Sequence, residues 1–130
     1  MSFGFGVGDF VTVAEFAWRI YQRCKELDGD FADLCNLIES MNLVVLRVKD
    51  QYSQRGLSET NRVEIQGLLN RCEMTLKDID LQLGKYTSLG TGRFRRRDRL
   101  KFATEATADL RIRLVAHLGL LNSFQVSQAK

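Results

Sequence analysis

A chain of 130 residues, 45% hydrophobic and 27% charged, is one globular domain long enough to bury a core without metal or disulfide support. Six basic and nine acidic residues up to Thr60 give a net charge of −3, and thirteen basic and seven acidic residues beyond it give +6. Three cysteines, Cys24, Cys35 and Cys72, with no C-x-x-C spacing, exclude a disulfide framework and read as buried thiols in a reducing compartment.

The chain opens Met1-Ser2-Phe3-Gly4-Phe5-Gly6-Val7-Gly8-Asp9-Phe10, large apolar residues alternating with glycine. Apolar groups at a chain end gain little burial unless something covers them. The cover is the domain's own core, a partner or a lipid bilayer. Asp9 and Glu15 inside the apolar stretch, and the missing basic leader, argue against a secretory signal and set the expectation of a cytoplasmic protein. The spacing of Gly4, Gly6 and Gly8 is neither a dinucleotide fingerprint nor a P-loop, so the glycines lend backbone freedom rather than a phosphate cradle.

Proline is absent altogether, which favours long helices, and four apolar seams with alternating three-and-four spacing follow. The first is Phe10, Val13, Ala17, Ile20, Cys24 and Leu27, with Asp9 as its N-cap and Asp28-Gly29-Asp30 as the turn that ends it. Asp30 caps the second, which runs Phe31, Leu34, Ile38, Met41, Val45, Val48 and Tyr52 and is widened by Leu37 and Val44, a breadth that suits contact with two neighbours. Gln54-Arg55-Gly56 closes it. Ser58 caps the third, Ile65, Leu68, Leu69, Cys72, Leu76, Ile79, Leu83 and Tyr86. Ser88-Leu89-Gly90-Thr91-Gly92 reads as the clearest loop, with Gly90 in a left-handed C-cap. The fourth seam is Leu100, Ala103, Thr107, Leu110, Leu114, His117, Leu121 and Phe124. Short connections then predict an all-α, antiparallel four-helix bundle over residues 1–130, with the Gly/Phe segment as a flexible apolar N-terminus. Gly67, Gly84 and Gly119 lie inside predicted helices, for close helix packing or for local adjustability.

Catalysis finds no support in the pattern. His117 is the only histidine and sits on a seam, where it reads as a packed, hydrogen-bonded core residue, and no two Cys or His residues have zinc-ligand spacing. No cofactor is expected. The basic run Arg93, Arg95, Arg96, Arg97, Arg99 and Lys101 is different, because like charges gathered where the helix dipole is already positive repel one another. Acidic residues on another helix could neutralise the run. Otherwise its partner is anionic, a lipid headgroup layer or an acidic protein surface. Nucleic acid ranks below both, since no recognition motif is visible and Phe94 and Phe102 show no base-stacking arrangement.

Three landmarks combine: Ser2 to Phe10 leading to Ala17-Trp18-Arg19-Ile20-Tyr21, the break Lys85-Tyr86-Thr87-Ser88-Leu89-Gly90-Thr91, and Leu110-Arg111-Ile112-Arg113-Leu114. Together they resemble the N-terminal domains of fungal STAND proteins, NLR-like receptors in which such a domain precedes a NACHT module. Over nearly the whole chain, the resemblance implies a non-enzymatic helical effector or signalling domain of the HeLo and HeLo-like group, associated with fungal heterokaryon incompatibility and programmed cell death. It further implies self-association, with an N-terminal apolar segment that targets membranes on activation. Phe3, Phe5, Val7 and Phe10 are then the insertion candidates, and the six basic residues, by their charge, the headgroup candidates. Where relatives often carry Trp-Gly near the start of the last helix, this chain has Phe102-Ala103. The expectation is either an excised domain or a stand-alone relative. The alternative function is a helical protein-interaction module that pairs with another helical domain and has no membrane activity.

Overall fold

The computed structural model describes residues 7–25, 30–55, 58–90 and 96–129, and their side chains over 8–25, 31–53, 58–85 and 107–124. Four helices account for almost all of this: α1 (Val7–Cys24), α2 (Asp30–Arg55), α3 (Glu59–Gly90) and α4 (Arg96–Ala129). There is no strand among the described residues. The chain is an all-α bundle.

The caps divide into one that the sequence places, Ser58, and two that it misplaces, Asp9 and Gly90. Ser58 is the N-cap of α3, its Oγ accepting the Asn61 N–H at 3.2 Å while its carbonyl accepts the Arg62 N–H at 2.9 Å. Asp9 instead lies within the first turn of α1, which starts at Val7 and leaves the carboxylate facing the positive end of the helix dipole. Asp30 is the first described residue of α2, and the Asp28-Gly29 part of the expected turn lies outside the described residues. The loop expected over Ser88 to Gly92 begins late, because α3 continues through Gly90; Thr91 and Gly92 lie outside the described residues. Gly90 is therefore helical, at a cost of about 1 kcal/mol relative to alanine that a helix of this length carries.

Cross-helix contacts fix the directions. Phe10 stacks its ring 5.6 Å from that of Tyr52, and the Cys35 thiol donates to the Tyr21 carbonyl, so α1 and α2 run antiparallel. Asn42 Nδ2 donates to the Ala14 carbonyl at 2.8 Å and ties their middles. Thr75 to His117 and Asp78 to Arg113 make α3 and α4 antiparallel. Asp9 and Thr12 share a recess with Gln66 and Asn70, and Arg23 pairs with Asp80, so α1 and α3 run parallel. Asp33 meets Arg111 at 3.8 Å, and Ser40 and Val115 line one groove, so α2 and α4 are parallel too. Round the bundle the order is therefore α1, α2, α4, α3. Among the described residues α2 does not pack on α3, nor α1 on α4. The connection from α2 to α3 thus crosses a diagonal, with the up-down alternation kept.

The described members of all four seams face one core, with Leu37, Tyr52 and His117 half-buried at its edge; Leu27, Tyr86, Leu100 and Ala103 lie outside the described side chains. Phe10, Ile20, Phe31, Leu34, Ile38, Met41, Ile65, Leu76, Ile79, Leu83, Leu114 and Leu121 are all but fully buried, and the three cysteines are buried and free. Burial pushes the thiols of Cys24 and Cys72 up to about 12, so they stay protonated and pack as small apolar groups. The interior glycines do not serve close packing: a Cβ built on Gly67, Gly84 or Gly119 meets nothing within 4 Å.

Burial separates neighbours on α4 sharply, since Leu114 is 0% exposed and Ile112 is 69% exposed. Leu114→Ala should cost about 2–5 kcal/mol in urea unfolding, whereas Ile112→Ala at low protein concentration should stay within about 0.5 kcal/mol of the parent. Equal losses would place the core on the wrong side of α4.

Candidate functional site

His117 stands in a part-buried polar cluster between α3 and α4. Arg113 Nη2 donates to Thr75 Oγ1 at 3.2 Å and to Asp78 Oδ2 at 2.7 Å, and its Nη1 lies 3.6 Å from Asp109 Oδ2. Thr75, 1% exposed, can then give its own hydroxyl proton to His117 Nε2, 2.8 Å away. His117 Nδ1 is buried without a partner. Burial first, then the positive charges of Arg113 and Arg71, push the imidazole below its ordinary value. The ring is half-buried and hydrogen-bonded, as a seam histidine should be. What the cluster does chemically is to lock α3 to α4. It has no acid, base and nucleophile converging on an open cleft, and no three His, Cys, Asp or Glu gather to hold a metal among the described residues.

Of the two groups of residues that charge and hydropathy single out, the described members at helix starts, Val7 on one side and Arg96, Arg97, Arg99 and Lys101 on the other, lie at opposite ends of the bundle. Val7 is the first residue of α1, at the end where α2 finishes and α3 starts. Phe3 and Phe5 lie outside the described residues, as do Arg93 and Arg95. Phe10, which the sequence places both on a seam and among the insertion candidates, is 0% exposed in the core. Bringing it to a membrane means taking it out of that core, and losing a buried phenylalanine typically costs about 3–5 kcal/mol. Arg96, Arg97, Arg99 and Lys101 occupy the first two turns of α4, at the end where α1 finishes and α2 starts. The 18 residues of α1 make that separation about 27 Å. No described helix is long and apolar enough to cross a membrane.

A surface that seam reading passes over is the outer side of α4. Apolar residues go all the way round the middle of this helix. Leu110, Leu114, Leu121 and Phe124 point into the core, and on the opposite side Ile112 and Val115 are 69% and 57% exposed, next to exposed Ala108, Ala116 and Gly119. Ala108, Ile112, Val115, Ala116 and Gly119 are themselves uncharged, and Asp109, 76% exposed and 3.6 Å from Arg113, borders the stripe one turn before Ile112. The arginines on its two flanks are turned aside, Arg111 to Asp33 on α2 and Arg113 to Asp78 on α3. Between α2 and α4 the stripe continues into an open groove of about 750 Å³, where Leu37, Asn36 and Ser40 face Ile112 and Val115. The signal was present in Leu110-Arg111-Ile112-Arg113-Leu114-Val115-Ala116, which holds apolar residues at both core and outward phases of a 3.6-residue period.

No protein-family model, curated protein or solved structure matches this chain.

His117 generates a prediction about pH. Its folded-state value lies below the unfolded value of about 6.5, so the unfolded chain binds its proton more readily. The stability tied to the neutral ring is complete above about pH 6.5 and is lost as pH falls through the lower folded value. Urea unfolding between pH 7.5 and pH 5, where the His117 and Thr75 pairing is at stake, should show a stability decline that His117→Gln flattens. An unchanged slope in that variant would mean that the ring titrates freely.

Proposed function

We propose that the domain is a non-enzymatic helical signalling module that acts by association, of the kind found at the N-terminus of fungal NLR-like STAND proteins. The observation that carries this reading is the uncharged outer stripe of α4. A soluble bundle that satisfies four core seams has no internal use for a second apolar side on one helix. A helix apolar all round is generally one with neighbours all round. In the HeLo-like setting implied by the sequence landmarks, association would be the step that precedes membrane contact and cell death.

Membrane contact itself divides into two readings. In the first, the basic residues Arg93, Arg95, Arg96, Arg97, Arg99 and Lys101 meet anionic headgroups, each adding about 1 kcal/mol near the surface, and Phe3, Phe5 and Val7 insert. In the second, the module engages only protein, through α4. The burial of Phe10 and the distance of about 27 Å between Val7 and the start of α4, where Arg96 to Lys101 lie, favour the second for the unassembled domain, since one flat bilayer met end-on reaches only one of these two ends. Assembly would have to rearrange α1 for the first.

Co-sedimentation with anionic and neutral vesicles decides between them. The protein-only reading expects no salt-sensitive pelleting with anionic vesicles. Pelleting that salt weakens and that glutamine at Arg93, Arg95, Arg96, Arg97 and Arg99 abolishes, with helical content unchanged, would establish the headgroup reading instead.

A further inference from the structure

We infer that the outer stripe of α4 is a self-complementary contact on which α4 of a second copy lies antiparallel, across a two-fold axis near Val115 and Ala116. This inference rests on the association reading and adds the partner, the face and the orientation.

Orientation follows from how α4 distributes charge. Between Arg96 and Arg113 the helix carries Arg96, Arg97, Arg99, Lys101, Arg111 and Arg113 against Asp98, Glu105 and Asp109, while from Leu114 to Ala129 it has no Asp, Glu, Lys or Arg at all. Laid parallel, two copies would bring their positive halves together. Laid antiparallel about residues 115 and 116, each charged residue from Glu105 to Arg113 faces an uncharged one. Like charges are thereby separated without a new ion pair.

Side-chain size points the same way. In the antiparallel register Ile112 faces Gly119 of the second copy, Val115 faces Ala116, and Ala108 faces Ser123, each pair occurring twice as a two-fold contact requires. The two larger residues, Ile112 and Val115, thus each meet a small one. Gly119 is exposed, and the space where its Cβ would stand is open, which leaves room for the Ile112 side chain. A parallel pairing would set Ile112 on Ile112 and leave a gap between the glycines.

The flanks complete the surface. Arg111 and Arg113 are held by carboxylates of their own copy, so closing the contact need not bury an unpaired guanidinium. Stable contacts bury about 800 Å² per partner, and the adjoining groove extends the stripe onto Leu37 and Ser40 of α2.

Light scattering after size exclusion, joined to cysteine cross-linking, tests face and orientation separately. The parent chain should run as a dimer at high concentration. Val115→Glu, which sets a carboxylate at the axis, should weaken association about tenfold or more while its circular dichroism and melt stay those of the parent. The native thiols are buried, so they give little background. With diamide, Ile112→Cys combined with Gly119→Cys should cross-link quickly, and Ile112→Cys alone should not. The double variant cannot close on itself, because residues seven apart on one helix are about 10 Å distant, beyond disulfide reach. A dimer that survives Val115→Glu would overturn this face and leave the association reading standing. Fast cross-linking by Ile112→Cys alone would overturn the orientation. A parent chain that stays monomeric overturns both.

Discussion

The bundle depends on where α4 sits. Among the described residues α2 and α3 lie on a diagonal and are bridged by α1 and α4, and α4 packs on both with Leu110, Leu114, Leu121 and Phe124 buried in the shared core. Burying those four side chains, at about 1.5–3 kcal/mol each relative to exposure, is the largest apolar contribution that α4 makes on its described part. The polar cluster of Thr75, His117, Arg113 and Asp78 adds direction to it, since its hydrogen bonds hold only when α4 keeps one rotation and one height against α3.

Fixing that rotation has a consequence on the other side. Once Leu114 faces inward, Ile112 and Val115 must face out, because a helical period of 3.6 residues sets them on the far side. Nothing in the core demands that outward residues be apolar, and the outer surfaces of the other helices are mostly mixed: Met74 and Leu81 on α3 are exposed but alternate with Lys77 and Asp78. Among the described residues α4 carries its exposed Ile112 and Val115 beside the uncharged Ala108, Ala116 and Gly119, with Asp109 at the border. The association reading grows from this asymmetry within the fold, and the HeLo-like resemblance supplies a biological setting in which association would matter.

Most of the fold was legible in the sequence. The four seams named the core on every helix, because burial on one side imposes a period that composition alone would not show. Ser58 was legible as a cap since its hydroxyl has a fixed task at N3. Asp9 and Gly90 misled because a carboxylate is equally at home in a first turn, and because a long helix can carry a glycine inside it. The diagonal between α2 and α3 was hidden, as seams state which side is buried and never against which helix. For the same reason the outer stripe of α4 went unread. A search for the best single face assigns the Leu110 and Leu114 phase to the core and treats Ile112 and Val115 as surface. Phe10 fell into two classes at once, and its complete burial settles only that it belongs to the core of this bundle.

The central claim is that α4 serves two apolar surfaces, one folding the domain and the other joining copies. Urea unfolding of the parent chain over a hundredfold range of protein concentration measures this most directly, since a contact made only by folded copies stabilises them by mass action. The account predicts a midpoint that rises with concentration in the parent and stays fixed in Val115→Glu. A parent midpoint independent of concentration would contradict it.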